Sequence, residues 1–428
     1  MATTTTDTID PAAVDSPSDL SSSPGNNTPR QSVGGLRPLR FGIYALVLAS
    51  SSFQMAIVPL LPTYARRFGL SGFQEGMLLA ATALSTVAVS LPAGALADRF
   101  GARRLTVAAG WLMAIAMLAE AFAPSFSVLL LSRLLFGAGY GIVWTAGLAW
   151  LAGVSPEGSG LGGTVACSGL GGIVGPLLAG SLAQVVGLAA PFLVGAVVLA
   201  GVTIVMMVMR LPSAAIVAES SGFRHSVSGI LRNREIVAAT AAVMAAGLTW
   251  SVSYLLVPVE LHADGISTGA IGFVLSAAAA VFVIGSMTTS SIGSRLVRSR
   301  VIFIAIAAAA LAFTPGVLRS GPLAMTAVLC GAAIARSVLW SIGYPLAAQG
   351  ADRMGIGVGV VMGFLQAVWA TTSVISPLAA GALTGSASPH VIMALTVVAC
   401  LAVLSGAVAW VFRRQLQTRL RLPLGRAA

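Results

Sequence analysis

Of 428 residues, 57% are hydrophobic and only 9% are charged, and the mean hydropathy is +0.93; a soluble fold of ordinary composition does not hide that much apolar surface. The formal charge of +11 comes from 24 Arg, with no Lys, against 13 acidic residues. Such a balance suits a nucleic-acid binder only if the arginines gather on one polar face, so their positions decide.

Residues 1–38 are rich in Thr, Ser, Pro, Asp and Gly and hold no apolar segment. They are expected to form a disordered cytoplasmic tail. The positive start and short apolar stretch of a cleavable signal are missing, so the first span should double as the insertion signal. Apolar runs of about 20 residues then recur, each able to cross a ~30 Å hydrocarbon layer as a helix. Twelve are expected, near 41–62, 73–97, 105–123, 127–151, 159–186, 190–210, 236–259, 269–292, 301–318, 323–349, 355–384 and 391–412. A polar stretch at 211–235 reads as a cytoplasmic linker, and 413–428 as a basic cytoplasmic tail. The expected fold class is an all-α polytopic membrane protein, with twelve transmembrane helices in two pseudo-symmetric six-helix bundles, 39–210 and 236–412.

With both termini cytoplasmic, Arg66, Arg67 and Arg319 fall outside, Arg133 and Arg336 fall within spans, and the other 19 lie on the cytoplasmic side. The positive-inside bias therefore accounts for the charge. No nucleic-acid partner is expected; the partners are the lipid bilayer of the plasma membrane and a small-molecule substrate. Cys167, Cys330 and Cys400 all lie in expected spans, which suits apolar packing, and neither a metal site nor a cofactor follows.

An internal repeat supports two halves. At an offset of 196, Pro62, Gly69, Ser71 and Gly76 match Pro258, Gly265, Ser267 and Gly272; at 201, "GPLLAGSL" from Gly175 matches "SPLAAGAL" from Ser376; at 203, Arg133 matches Arg336. Six crossings return the chain to its starting side, so the halves run parallel, the architecture of carriers that rock about a site near the bilayer midplane.

Between expected spans 2 and 3 lies "GALADRFGARR" (Gly94 to Arg104), four charges in a tight turn. Gly94, Leu96, Ala97, Asp98, Arg99, Gly101 and Arg103 match the loop signature G-x-L-A-D-R-x-G-R-[RK], and the chain resembles the major facilitator superfamily on this ground. Ala102 departs from the usual basic residue. The resemblance implies a latch, in which Asp98 and its basic neighbours hold the cytoplasmic side shut against the other half when the carrier faces outward. As plain positive-inside anchors the arginines would need no acid beside them. The corresponding loop of the second half, "SSIGSRLVRSR", has Ser294 in place of Asp98 and Val297 in place of Gly101.

"RLLFGAG" (Arg133 to Gly139) resembles the fourth-span pattern R-x-x-x-G-x-G, whose arginine is linked to proton transfer in proton-coupled members. "GGIVGPLLAG" (Gly171 to Gly180) resembles the fifth-span pattern of exporting antiporters, with gating roles for Gly175, Pro176 and Gly180; general helix packing is its plainer reading. "VPLLP" (Val58 to Pro62) resembles the paired prolines of twelve-span drug exporters.

Arg133 and Arg336 each cost ~2.5–3.5 kcal/mol at the bilayer centre, so each needs a watery cavity or a partner. Glu120, near the end of span 3, is within reach of Arg133, and the pair is the expected coupling site for protons. No acid lies near Arg336, which suits an anionic solute or else a backbone carbonyl in span 7 or 11. In the resembled family spans 1, 4, 7 and 10 line the cavity. Gln54, Arg133, Tyr140, Trp144, Trp250, Tyr254, Arg336, Trp340, Tyr344, Gln366 and Trp369 are the expected substrate-binding residues, a lining that suits an amphipathic organic molecule. Trp150 and Trp410 read as interfacial anchors, and the three His as loop residues. With no convergent catalytic groups, no enzyme is expected. The function expected is a proton-coupled exporter acting as a monomer, with anion uptake as the alternative.

Overall fold

The computed structural model describes residues 36–154, 161–209 and 233–420. Among these are twelve helices long and apolar enough to cross a membrane and no strand. In chain order the spans are Pro38–Phe68, Gly72–Ser90, Ala102–Ala121, Phe126–Gly153, Gly162–Val185, Ala190–Val208, Arg234–Ala263, Thr268–Ile292, Ser299–Leu318, Pro322–Met354, Val360–Leu383 and Pro389–Val411, hereafter spans 1 to 12. The expected tail 1–38 except its last three residues, nearly all of the linker 211–235, and residues 421–428 of the basic tail lie outside the described residues.

Several spans run past their expected ends. Span 1 continues to Phe68 and stops where Gly69 turns left-handed (φ 62°) and donates its N–H to the Ala65 carbonyl. A glycine is needed there because a Cβ strains that backbone. Span 7 reaches Ala263, so His262 sits in its last turn, and His390 opens the helix of span 12. Neither histidine is the loop residue expected from sequence; His225 lies outside the described residues. The helix of span 12 continues to Leu420, so the start of the basic tail is helical.

Two interruptions matter for the interior. Span 1 breaks between Gln54 and Ile57. Pro59 lacks the N–H that would bond Met55 four residues back, and its ring crowds that carbonyl; Val58 N–H bonds Met55 instead of Gln54, at 3.2 Å. The Gln54 carbonyl is thereby released from the helical ladder. Span 4 widens into a π-helical turn at Val143–Gly147, which carries Trp144.

The sequence repeat acquires a physical meaning. Ser71 caps span 2 and Ser267 caps span 8 through backbone N–H groups three residues on. Gly69 and Gly265 both hold positive φ in the preceding turns. Across the two halves, span 2 packs on span 11 and span 5 on span 8. A Cβ at Gly76 would overlap the carbonyl of Pro377, and one at Gly272 the carbonyl of Pro176. Gly381 abuts the backbone of Gly72, Gly180 the carbonyl of Thr268, and Gln184 Oε1 accepts from Gly269 N–H at 2.9 Å.

All these contacts lie toward the end of the bundle that carries the 1/2, 5/6, 7/8 and 11/12 turns, here called the distal end. Twelve crossings bring the described chain back to the opposite, proximal end. Near the proximal ends of spans 2, 5 and 11, added Cβ atoms at Gly94, Gly162 and Gly363 would meet nothing within 4 Å. The halves are joined through close backbone contact at the distal end.

Candidate functional site: the cavity between the halves

Arg133 lies on the second turn of the span 4 helix, and Glu120 on the last turn of span 3. The short turn between these antiparallel helices brings the two together: Arg133 Nη1 lies 3.7 Å from Glu120 Oε1, with side chains 2% and 0% exposed. Arg133 Nη2 donates to the released Gln54 carbonyl and to Thr82 Oγ1, both at 3.0 Å. Its guanidinium also lies 5.6 Å from the Phe136 ring. One cation therefore ties spans 1, 2, 3 and 4, and it occupies the acceptor that the Pro59 break exposes. The glycines that follow it have a separate purpose. Cβ atoms at Gly137 and Gly141 would collide with span 2 at Thr82 and Thr86, and one at Gly139 with span 3 at Met113. The R-x-x-x-G-x-G pattern thus joins a buried cation to the small face that lets span 4 approach close enough to seat it.

Beside Arg133 is a small open pocket between the halves. The first half supplies Gln54, Met55, Val58, Leu79, Thr82, Ala83 and Arg133 to its wall, and span 7 supplies Trp250, Ser251 and Tyr254. Gln54, Arg133, Trp250 and Tyr254 were expected there from sequence. Thr82 was missed, because a lone Thr in an apolar span gives no signal.

The other expected residues form two aromatic groups. In span 4, Phe136, Tyr140 and Trp144 follow one another at 6.5 and 6.0 Å between ring centroids. The Tyr140 hydroxyl lies among Ser51, Ser168 and Trp144, and Ser51 Oγ donates to Ser168 Oγ at 3.1 Å. In the second half, Tyr254, Trp250, Trp369, Trp340 and Tyr344 form one chain of rings, with successive centroids 5.3, 5.6, 5.0 and 4.9 Å apart. Tyr344 donates its hydroxyl to Gln366 Oε1 at 3.2 Å.

Arg336 is buried against rings. Its guanidinium lies 4.9 Å from Phe282 of span 8 and 5.7 Å from Tyr254 of span 7. Among the described residues the ion pairs are Glu120–Arg133 and Glu235–Arg353, so no carboxylate pairs with Arg336. Phe282 was not foreseen, since nothing in an apolar run marks which ring will face a cation.

The charged loop is tied to its own half. Gly101 (φ 88°) ends the span 2 helix by donating to the Ala97 carbonyl. Arg103 Nη2 donates to the carbonyls of Met207 and Met209 at 3.2 and 3.0 Å, closing the end of the span 6 helix; cations are stabilising at that negative helix end. The Arg99 guanidinium sits 5.3 Å from the neighbouring Phe100 ring. Arg103 thus makes its contact within its own half, and the side chain of Asp98 lies outside the described residues. Trp150, expected as an interfacial anchor, is instead fully buried in the first half.

A duplicated helical membrane protein, joined at one end over a cavity that both halves line, has the construction of a transporter. The chain belongs to the Major Facilitator Superfamily, whose family model matches residues 43–362. That family is one of transporters. Over 150 residues it is 33% identical to the quinolone resistance protein NorA of Staphylococcus aureus, covering 34% of this chain and 38% of the relative. An uncharacterised MFS-type transporter of Schizosaccharomyces pombe is 33% identical over 167 residues, 36% of this chain and 37% of that one. The matched regions thus span little more than a third of these relatives. Among solved structures, an inward-facing, unoccupied bacterial homologue of the human lysosomal transporter Spinster superposes with TM-score 0.71 at 14% identity, covering 92% of this chain and 100% of that one. The nucleoside transporter NupG superposes with TM-score 0.69 at 11% identity, covering 87% and 99%.

Proposed function

We propose that this transporter exports a small organic solute in exchange for protons, as a monomer in the plasma membrane with both termini cytoplasmic. The observation that supports the reading is a pocket lined by both halves, with Arg133, paired behind it to Glu120, at its wall and a join of glycine and proline backbone at the distal end. With the arginine-rich ends in the cytoplasm, the join faces outward and the cavity is reached from inside.

Units 39–210 and 236–412, connected by 211–235, rock about the solute. Outward opening parts Gly76 from Pro377 and Gly272 from Pro176, two equivalent contacts on opposite sides of the cavity. Because these are backbone surfaces without side chains to unpack, they close tightly and separate without rotamer rearrangement. In the outward state the proximal ends meet, and the Asp98 loop, with Arg99 and Gly101, latches them. Proton coupling is assigned to Glu120: a proton on its carboxyl removes the charge that balances Arg133, and a solute beside Arg133 alters that balance in turn. Export is supported by the fifth-span Gly175–Pro176–Gly180 pattern and by the likeness to a resistance protein over 150 residues.

Flux in proteoliposomes, with a solute panel and pH gradients of both signs, tests this. Exchange drives solute opposite to the imposed proton gradient. Solute moving in the direction of the proton would establish the second reading, uptake of an organic or inorganic anion, which Arg336 favours because no acid balances it. Flux indifferent to pH would remove protons from the mechanism.

A further inference from the structure

The distal ends of spans 1 and 7 are equivalent in the repeat: at the offset of 196 that pairs Pro62 with Pro258 and Gly69 with Gly265, Arg66 corresponds to His262. The fold brings these two ends together. The distal half of span 1, Ile57–Phe68, packs on spans 7 and 8 of the other half, a third seam beside the two built of glycine and proline. His262 follows Tyr254 of the pocket wall and Pro258 at intervals of four residues, so it points nearly the same way, toward the first half. Both its ring nitrogens are covered, and neither has a hydrogen-bond partner.

The charge that acts on this ring is positive. It is that of Arg66, exposed in the last turn of span 1 and absent from both ion pairs found among the described residues. Its neighbour Arg67 lies over the Phe68 ring, and Tyr64 is buried in the first half. On span 7 itself, Glu260 is set toward Asp264 and toward His390 of span 12, which is bonded through Nδ1 to the Gly316 carbonyl at 2.7 Å. Glu75 opens span 2 and Arg319 follows span 9, and neither acts on the ring. The backbone of Ile266 stands near it without closing a hydrogen bond. A neutral imidazole fits such a seam at modest cost. An imidazolium brings two N–H donors to satisfy and a guanidinium to face, where its nitrogens are shut off from water.

We propose that His262 is a proton site of the distal join: unprotonated, it lets the equivalent ends of spans 1 and 7 lie together, and protonated, it opposes Arg66 and parts them. Because the proton binds better when the join is open, acid shifts the population toward the open form. The site is separate from Glu120 and goes beyond the exchange reading. Only the side from which its proton comes, the outside, rests on the orientation proposed above.

The test places nitroxides at Phe122→Cys and Leu318→Cys, two exposed and equivalent positions at the distal ends of spans 3 and 9, in the full chain in nanodiscs with Cys167, Cys330 and Cys400 each replaced by Ala. Pulsed dipolar spectroscopy reads the distance between the halves. Lowering the pH from about 8 to about 5.5, across the range in which histidine titrates, should raise the ratio of long to short distances about tenfold. His262→Gln should stay short at both pH values, and Arg66→Gln should respond only about threefold. With a charge that no pH removes, His262→Arg should be long at both. His390→Gln should respond in full. A flat native chain, an undiminished response in His262→Gln or Arg66→Gln, a short distance in His262→Arg, or equal loss in His390→Gln overturns the proposal. Proton-driven flux in proteoliposomes without the distal response overturns it and leaves the exchange reading standing; the distal response without such flux does the reverse.

Discussion

Arg133 and Arg336 occupy equivalent places in the repeat, yet the protein treats them in opposite ways. Arg133 is neutralised by Glu120 and bonded to Gln54 and Thr82, so it braces the first half. Arg336 is buried against the rings of Phe282 and Tyr254, with a side-chain bond to Tyr254 and no carboxylate paired to it. Duplication supplied two buried cations, and their neighbours made one a brace of the first half and left the other among rings. The pair on Arg133 is costly to desolvate, and its loss is costlier still, because breaking one partner leaves a buried charge alone.

The sharpest way to break this contrast is to remove the acid. Glu120→Gln is expected to lower stability by ~3–5 kcal/mol, seen in thermal unfolding in detergent, and to end accumulation of solute against its gradient. The double variant Glu120→Leu with Arg133→Met should regain most of the stability while coupling stays lost; accumulation by either variant would place the proton route elsewhere. Arg336→Gln, which orphans no carboxylate, should cost only ~1–2 kcal/mol in the same assay.

Next in size are the two distal contacts. Gly76→Val and Gly272→Val each push a side chain into a proline carbonyl of the other half, and each should cut turnover at least tenfold while expression and insertion persist. Equal defects would mark a symmetric gate; an effect confined to Gly272 would leave the fifth-span side dominant. Arg336→Lys keeps the charge but loses the flat stacking surface. It is expected to abolish flux of an anionic solute and to spare a cationic one, and equal loss of both would make Arg336 structural. Asp98→Asn should insert normally and transport more slowly; an unchanged rate would remove Asp98 from the mechanism. The smallest effect is that of Arg103→Gln, ~0.3–1 kcal/mol from losing the span 6 cap, with turnover affected less than in Asp98→Asn.

Much of the site was legible, residue by residue. Glu120 and Arg133 could be matched because a short turn between antiparallel helices fixes which positions meet. Pro59 and Pro62 read in sequence only as a likeness to drug exporters, and the break in span 1 before them was not foreseen. That the freed carbonyl of Gln54 would face Arg133 was not visible, because it depends on how far span 4 approaches, which Gly137 and Gly141 decide through contacts with span 2. Trp150 and His262 misled for a related reason: an aromatic near a span end and a polar residue near an expected boundary look alike in sequence, whether the helix stops there or continues.

The sequence alone determined the twelve crossings and their duplication, because lipid imposes local rules: each segment must satisfy its own backbone and be apolar for about 20 residues. Tertiary structure alone decided which end is joined and which neighbour each buried cation takes. Both depend on close approach between helices far apart in the chain, where Gly76 meets Pro377, Gly272 meets Pro176, and Arg336 meets Phe282.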